Sequence, residues 1–192
     1  MTAGIRALES IITILLRIGR QIAWVLIALM VVVTLLQVIL RYGFNAALPW
    51  PDEAARFFML WMTGLIAPSA YRWGGFVSID MIQDFLGKRA GAILNLAILI
   101  VSLAVLVIAL DLGQDHIRRG WRFNSGSMKI PLGLFGGEDI RMKLAWMYMS
   151  VYVGWVLMTL VNIEMILKNI HTMIDPNAPW GEVPDQMALS VE

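Results

Sequence analysis

Residues 90–110 read AGAILNLAILIVSLAVLVIAL, a run of 21 residues that contains no charged side chain. An α-helix rises about 1.5 Å per residue, so about twenty residues cross the roughly 30 Å hydrocarbon layer of a bilayer. A run of this length and composition is typical of a membrane-spanning helix. The sequence therefore predicts a span at 90–110, and the rest of the chain can be compared with it.

Three more apolar segments are candidates for membrane spans. Residues 22–40 and 144–163 contain 19 and 20 residues without a charge, and each is long enough to cross the bilayer. The uncharged run at 57–71 has only 15 residues, and it reaches twenty only if its helix begins at Asp52. The sequence thus predicts four spans, at about 22–40, 52–71, 90–110 and 144–163.

The composition supports a membrane protein of the all-α class. Hydrophobic residues make up 59% of the 192 residues, charged residues 15%, and the mean hydropathy is +0.72. An ordinary soluble domain contains about 25% charged residues. The net charge of +1 provides no basic surface for nucleic acid, and the lack of cysteine excludes disulfides and thiolate chemistry.

The second span begins with the unusual sequence WPDEAAR. Pro51 can occupy the first helical turn, and Asp52 and Glu53 then lie at the positive end of the helix dipole. Arg56 follows Glu53 by three residues, on a neighbouring position of the same helix face. One interpretation is a capped, solvated helix end. The other is that Glu53 and Arg56 also form pairs, with Arg41 at the end of the first span or with a partner protein.

Two segments outside the spans have the pattern of helices that lie at the membrane surface. In residues 5–20 the polar side chains recur at steps of three and four, opposite an isoleucine- and leucine-rich face. Residues 77–89 repeat the pattern on a smaller scale. We therefore predict an interfacial helix at 5–20 that contacts membrane lipids. The basic residues assigned to the membrane interface are Arg6, Arg17, Arg20, Lys88 and Arg89.

Charge gives only a weak indication of orientation. With the N-terminus inside, seven basic residues fall on the inner side and eight on the outer side. Arg17 and Arg20 precede the first span, where the positive-inside rule is strongest, and they favour a cytoplasmic N-terminus. Four spans would return the C-terminus to the cytoplasm. We interpret residues 1–171 as one membrane domain with an uncleaved first span, and 172–192 as an irregular tail.

The sequence contains little that points to catalysis. No ionisable residue lies near the middle of a predicted span, where a transporter that works alone commonly has one. His116 and His171 lie just beyond the third and fourth spans, so haem ligation is the weaker interpretation. We predict no catalytic residue, substrate-binding residue, metal site or cofactor. Two alternatives stay open, a membrane anchor for a redox or other enzyme complex and a small self-sufficient transporter or channel.

One stretch of about forty residues resembles a known family. It reads RYGFNAALPWPDEAARFFMLWMTGLIAPSAYRWGGFVSID, and the spacing of its charged, aromatic and glycine residues is distinctive. The stretch resembles the small membrane subunit of tripartite ATP-independent periplasmic (TRAP) transporters, the DctQ-like family. The matching residues are Arg41, Asn45, Trp50, Glu53, Arg56, Trp61, Arg72, Gly74, Gly75, Val77 and Asp80.

The resemblance implies a non-catalytic subunit of a secondary, sodium-driven solute uptake system in the bacterial inner membrane. Family members have four spans, an interfacial helix and cytoplasmic termini. Their sodium and substrate sites belong to a larger multi-span subunit, which receives solute from a periplasmic solute-binding protein. The small subunit would therefore act as a scaffold for the large one and could help to dock the binding protein.

Two positions differ from the family pattern. Asp52 stands where the family often has glutamate, and Phe76 stands where it often has histidine. Any role that depends on that imidazole is not expected in this chain. The family's solutes are mostly organic acids, but this chain does not identify its own.

Overall fold

A computed structural model describes residues 2–46, 48–73, 88–130 and 140–174. Helices account for most of these residues, as the sequence predicts. The elements are α1 (Thr2–Gly43), α2 (Trp50–Arg72), α3 (Lys88–Gly120), β1 (Asn124–Ile130), β2 (Ile140–Lys143) and α4 (Ala145–Ile174). Each of the four predicted spans falls on a different helix among the described residues, and only Leu144 lies outside its helix.

The first helix is longer than predicted, because α1 is one continuous helix of 42 residues. The sequence predicted an interfacial helix at 5–20 and a separate span at 22–40, and this division is not observed. Gly19 is the natural place for a break, but it packs against Leu65 of α2, whose carbonyl oxygen would lie 3.5 Å from an added Cβ. No proline interrupts the helix, so it continues through the boundary.

Three helices, α1, α3 and α4, are long and apolar enough to cross a membrane. The remaining described helix, α2, has 23 residues, but charged residues at both of its ends lower its hydropathy. The number of four spans therefore stays a prediction. Helix α4 continues to Ile174, three residues into the predicted tail, and residues 175–192 lie outside the described part of the chain. So do residues 74–87, which include most of the second predicted interfacial segment.

The helices pack in the order α1, α2, α4, α3, so α2 and α4 form the centre of the bundle. They cross where Gly64 of α2 meets Gly154 of α4. A Cβ on Gly154 would lie 2.7 Å from the Gly64 carbonyl oxygen, and one on Gly64 would collide with the Ser150 carbonyl oxygen. Small residues at a crossing allow two backbones to approach closely. Gly113 and Gly120 of α3 meet α4 similarly, since an added Cβ on either would lie 2.7 Å from an aromatic side chain.

A small antiparallel sheet corrects the prediction of an exclusively helical chain. Strands β1 and β2 pair in the connection between α3 and α4, with Asn124 opposite Lys143 and Lys129 opposite Arg141. The register is irregular between Asn124 and Lys129. The strands are short and mostly polar, so a search for long apolar runs does not detect them.

Candidate functional site: polar contacts at the two ends of the bundle

The first polar contact joins Glu53, in the first turn of α2, to strand β1. The Glu53 carboxylate accepts hydrogen bonds from the backbone N–H of Ser127 at 2.8 Å and of Met128 at 3.2 Å. The Ser127 hydroxyl also donates to the same carboxylate oxygen. Hydrogen bonds to an ionised carboxylate are stronger than those between neutral groups. Glu53 therefore holds the sheet against the start of α2.

The sequence did not predict this partner for Glu53. One interpretation paired Glu53 with Arg41 or Arg56, but those two arginines form no ion pair within the described part of the chain. Both are exposed, and the Arg41 guanidinium lies 5.8 Å from the ring centroid of Tyr42. Glu53 is thus more than a solvated helix end, although its partners are backbone and hydroxyl groups rather than an arginine.

The second polar contact lies at the other end of α2 and joins three helices. Arg72 of α2 lies 2.7 Å from the Glu164 carboxylate of α4 and donates a hydrogen bond of 2.7 Å to the Thr13 hydroxyl of α1. Lys168, one turn after Glu164, lies 2.7 Å from Glu164 and 2.8 Å from Glu9 of α1. We call Glu9, Thr13, Arg72, Glu164 and Lys168 the charge network.

The charge network is balanced and partly shielded from solvent. It combines two cations with two carboxylates, and Glu9 also lies 3.8 Å from Arg72. The Glu164 side chain is only 1% exposed, whereas that of Glu9 is 29% exposed. Removing one partner of a buried ion pair leaves an uncompensated charge. The stability lost in this way is much larger than the net stability that the intact pair contributes. Glu164 is therefore the residue on which the network depends most.

The apolar surroundings of the network join the same three helices. Ile12 and Leu16 of α1, Tyr71 of α2 and Val161 of α4 form one buried cluster. The Tyr71 hydroxyl accepts a hydrogen bond from the side-chain amide of the buried Asn162. The face of the N-terminal segment that was predicted to lie on lipid thus partly packs inside the bundle.

The other residues of the recognised motif lie apart from these contacts. Asn45 is exposed with a φ of 53°, a conformation that asparagine tolerates well, and Ala46 beside it donates to the Leu40 carbonyl to close the end of α1. Trp50 is the first residue of α2, and the Trp61 ring lies 6.2 Å from that of Phe57.

The predicted motif and interface residues are only partly described. Gly74, Gly75, Val77 and Asp80 lie outside the described residues, and so does Phe76. The basic residues that we assigned to the membrane interface are divided between α1 and α3. Arg6 and Arg17 are exposed on α1, Arg20 lies over Trp73, and Lys88 and Arg89 fall in the first turn of α3.

Sequence reasoning missed Glu9, Glu164 and Lys168 as a site. Glu164 directly follows the predicted end of the fourth span, and Lys168 follows it by four residues, a spacing that favours an ion pair on one helix face. This spacing was the available signal. The ion pair between Glu164 of α4 and Arg72 of α2 depends on how these helices pack, which could not be inferred from the sequence alone.

Two comparisons with known proteins bear on this arrangement. The model of the family "Tripartite ATP-independent periplasmic transporters, DctQ component" matches residues 30–172. The chain belongs to the DctQ family. A Haemophilus influenzae protein named as a TRAP transporter small permease is 33% identical over 70 residues. That match covers 36% of this chain and 44% of the H. influenzae protein.

The family match includes the whole of the first polar contact but only part of the charge network. Glu53, Arg72, Glu164 and Lys168 fall within residues 30–172, whereas Glu9 and Thr13 precede them. The family is described as a component of TRAP transporters, and three described helices of this chain are long and apolar enough to span a membrane. Within the described residues, no group of three or more histidine, cysteine or acidic side chains could hold a metal ion.

Proposed function

We propose that this DctQ protein is the non-catalytic small subunit of a sodium-driven uptake transporter and serves as a fixed scaffold for the large transport subunit. The observation that carries the proposal is the closed centre of the bundle, where Gly64 and Gly154 bring the backbones of α2 and α4 into contact. A solute path between these two helices would have to separate this contact. The ionic groups of α2 and α4 lie instead at the ends of the bundle.

We further propose that α2 also spans the membrane, which gives four spans in all. Glu53 and Arg72 are 19 residues apart on one helix, which corresponds to about 28 Å along its axis. This separation matches the roughly 30 Å thickness of the hydrocarbon layer. Both residues bind partners within the protein, so α2 can place its polar ends near the two membrane surfaces although its apolar run is short.

The charge network supports a mechanical role. Arg72 and Glu164 join α1, α2 and α4 into one unit, because each contacts side chains on other helices. A transport subunit that moves as a rigid body needs a part that stays fixed in the membrane. The outer faces of α1 and α3 carry many exposed apolar side chains, such as Leu35 and Val105, and they are available for lipid and for the large subunit.

We propose that the protein lies in the bacterial inner membrane with both termini in the cytoplasm. The β1–β2 sheet then lies on the periplasmic side, where it could help to dock a solute-binding protein. Two observations support this role. Glu53 fixes the sheet against α2, and exposed basic residues lie in the sheet or just before it in the sequence. The exposed ones are Arg118, Arg119, Arg122 and Arg141.

The direct experiment is purification of the tagged full chain in mild detergent from cells that express the complete transporter. The proposal predicts that a larger multi-span protein is recovered with it, and that both are needed for sodium-dependent uptake in proteoliposomes. Recovery with a redox enzyme instead, together with bound haem or quinone, would contradict the proposal in favour of an enzyme anchor.

A further inference from the structure

Arg17 and Arg20 of α1 differ from Arg72 and Lys168, the two basic residues of the charge network. Arg72 and Lys168 are ion-paired with carboxylates of the charge network. Within the described part of the chain, Arg17 and Arg20 form no ion pair. Arg17 is exposed and Arg20 half-exposed, and since they are three residues apart they occupy neighbouring positions on one helix face. Two positive charges are thus available on this face.

Trp73 holds one of these arginines in position. The Arg20 guanidinium carbon lies 4.7 Å from the centroid of the Trp73 ring, at the end of α2. A stacked guanidinium keeps its N–H donors at the edge of its plane, where they can bind a phosphate group with two hydrogen bonds. Tryptophan favours the headgroup level of a membrane, so the contact fixes Arg20 at that depth.

The neighbouring contacts place the pair at the edge of the apolar bundle. Thr13, one turn before Arg17, binds Arg72, whereas Gly19 packs against Leu65 of α2. Ile14, three residues before Arg17, and Trp24, four residues after Arg20, are exposed on the same side of the helix. Cationic and apolar side chains therefore lie together on the same outer surface, as expected where a phospholipid headgroup and its acyl chains meet a protein.

We propose that Arg17, Arg20 and Trp73 form a binding site for the phosphate-bearing headgroup of an anionic phospholipid. The two guanidinium groups bind the phosphate oxygens, and the acyl chains lie along the apolar surface of α1. The net positive charge of the site favours anionic lipids over zwitterionic ones, whose own ammonium group opposes binding. The site is independent of the transport assignment, because it requires neither the large subunit nor a solute.

The test is lipid binding to the purified full chain, measured by native mass spectrometry during titration with phosphatidylglycerol or phosphatidylcholine. Phosphatidylglycerol should bind more tightly, and Arg17→Gln/Arg20→Gln should remove most of this preference. An arginine near an anionic lipid contributes a factor of about five in affinity, so the double variant should lose roughly 25-fold. The matched control is Arg118→Gln/Arg119→Gln, which removes the same charge from the last turn of α3, at the opposite end of the bundle, and should retain the preference.

Two further measurements distinguish the possible results. Arg17→Lys/Arg20→Lys keeps the charge but not the planar donors, and it should bind phosphatidylglycerol with intermediate affinity. Soluble glycerol phosphate in millimolar excess should compete poorly, because it lacks acyl chains. Full competition would show a free-phosphate site and would overturn the proposal. Equal binding of both lipids, or an unchanged preference in a folded Arg17→Gln/Arg20→Gln variant, would overturn it as well.

Discussion

Arg72 and Glu164 are 92 residues apart in the sequence, yet their side chains meet with Nη2 and Oε1 2.7 Å apart. Glu164 is almost completely buried, and Lys168 contacts the same carboxylate oxygen. This pair joins α2 to α4, and through Thr13 and Glu9 it also joins α1. The stability of the bundle should therefore depend more on the charge network than on the exposed ion pair between Arg118 and Asp115.

Glu164→Gln should strongly destabilise the protein. The change leaves Arg72 and Lys168 without their shared carboxylate in a buried site, a situation that costs about 3–5 kcal/mol. Thermal unfolding in detergent, followed by circular dichroism, should show a clearly lower Tm. Asp115→Asn is the matched control, since its pair with Arg118 is exposed and 4.0 Å long. An equal effect of the two changes would contradict the importance of the network.

Glu9→Gln should have a smaller effect than Glu164→Gln. Glu9 is partly exposed, and Arg72 and Lys168 both keep Glu164 as a partner. The contacts should nevertheless couple, so the loss in Lys168→Met should be smaller when Glu9 is already glutamine. A double-mutant cycle on Tm measures this coupling. Strict additivity of the two changes would show that the 2.8 Å contact between Lys168 and Glu9 contributes nothing.

Gly154→Ala should separate α2 from α4. The new methyl group would lie 2.7 Å from the Gly64 carbonyl oxygen. Its nearest neighbours are all backbone atoms of Gly64, which cannot move away by a side-chain rotation. Gly4→Ala is the control, because nothing lies within 4 Å of its added Cβ. Alanine is better than glycine in a helix by about 1 kcal/mol, so the control should be neutral or slightly stabilising. Tm and the yield of the folded protein report the difference, and a stabilised Gly154→Ala would refute the close crossing.

Glu53→Gln should loosen the β1–β2 sheet, whereas Asp52→Asn should not. Glutamine keeps an acceptor but loses the charge, and hydrogen bonds to charged groups are worth about 1.5–3 kcal/mol. Asp52 is exposed, and its dipole interaction is worth about 0.3–1 kcal/mol. Hydrogen exchange of the Ser127 and Met128 amides should accelerate only in Glu53→Gln. Neither change should alter which solute is taken up, and a changed preference would place a substrate contact in this subunit.

The sequence predicted the helices well because their signal is local. The uncharged runs at 22–40, 90–110 and 144–163 have the length that a helix needs to cross a bilayer, and α1, α3 and α4 contain them except for Leu144. The charged start of α2 was also identified from WPDEAAR. These features depend on composition over about twenty residues and not on the fold.

The contacts between elements were not predictable in the same way. The partner of Glu53 is a strand 74 residues later, and the partner of Arg72 lies on α4. Both depend on how the helices cross, which is decided by small residues such as Gly64 and Gly154. The continuity of α1 was missed for a related reason. Its amphipathic N-terminal pattern suits a helix at the membrane surface, but part of that apolar face packs against Tyr71 and Val161.

We propose that this DctQ protein supports transport without carrying solute itself. The most direct measurement is sodium-dependent uptake in proteoliposomes that contain this chain alone, the large subunit alone, or both, with the solute-binding protein and its solute supplied. We expect no uptake by this chain alone and full uptake only when both membrane subunits are present. Sodium-dependent uptake by this chain alone would contradict it.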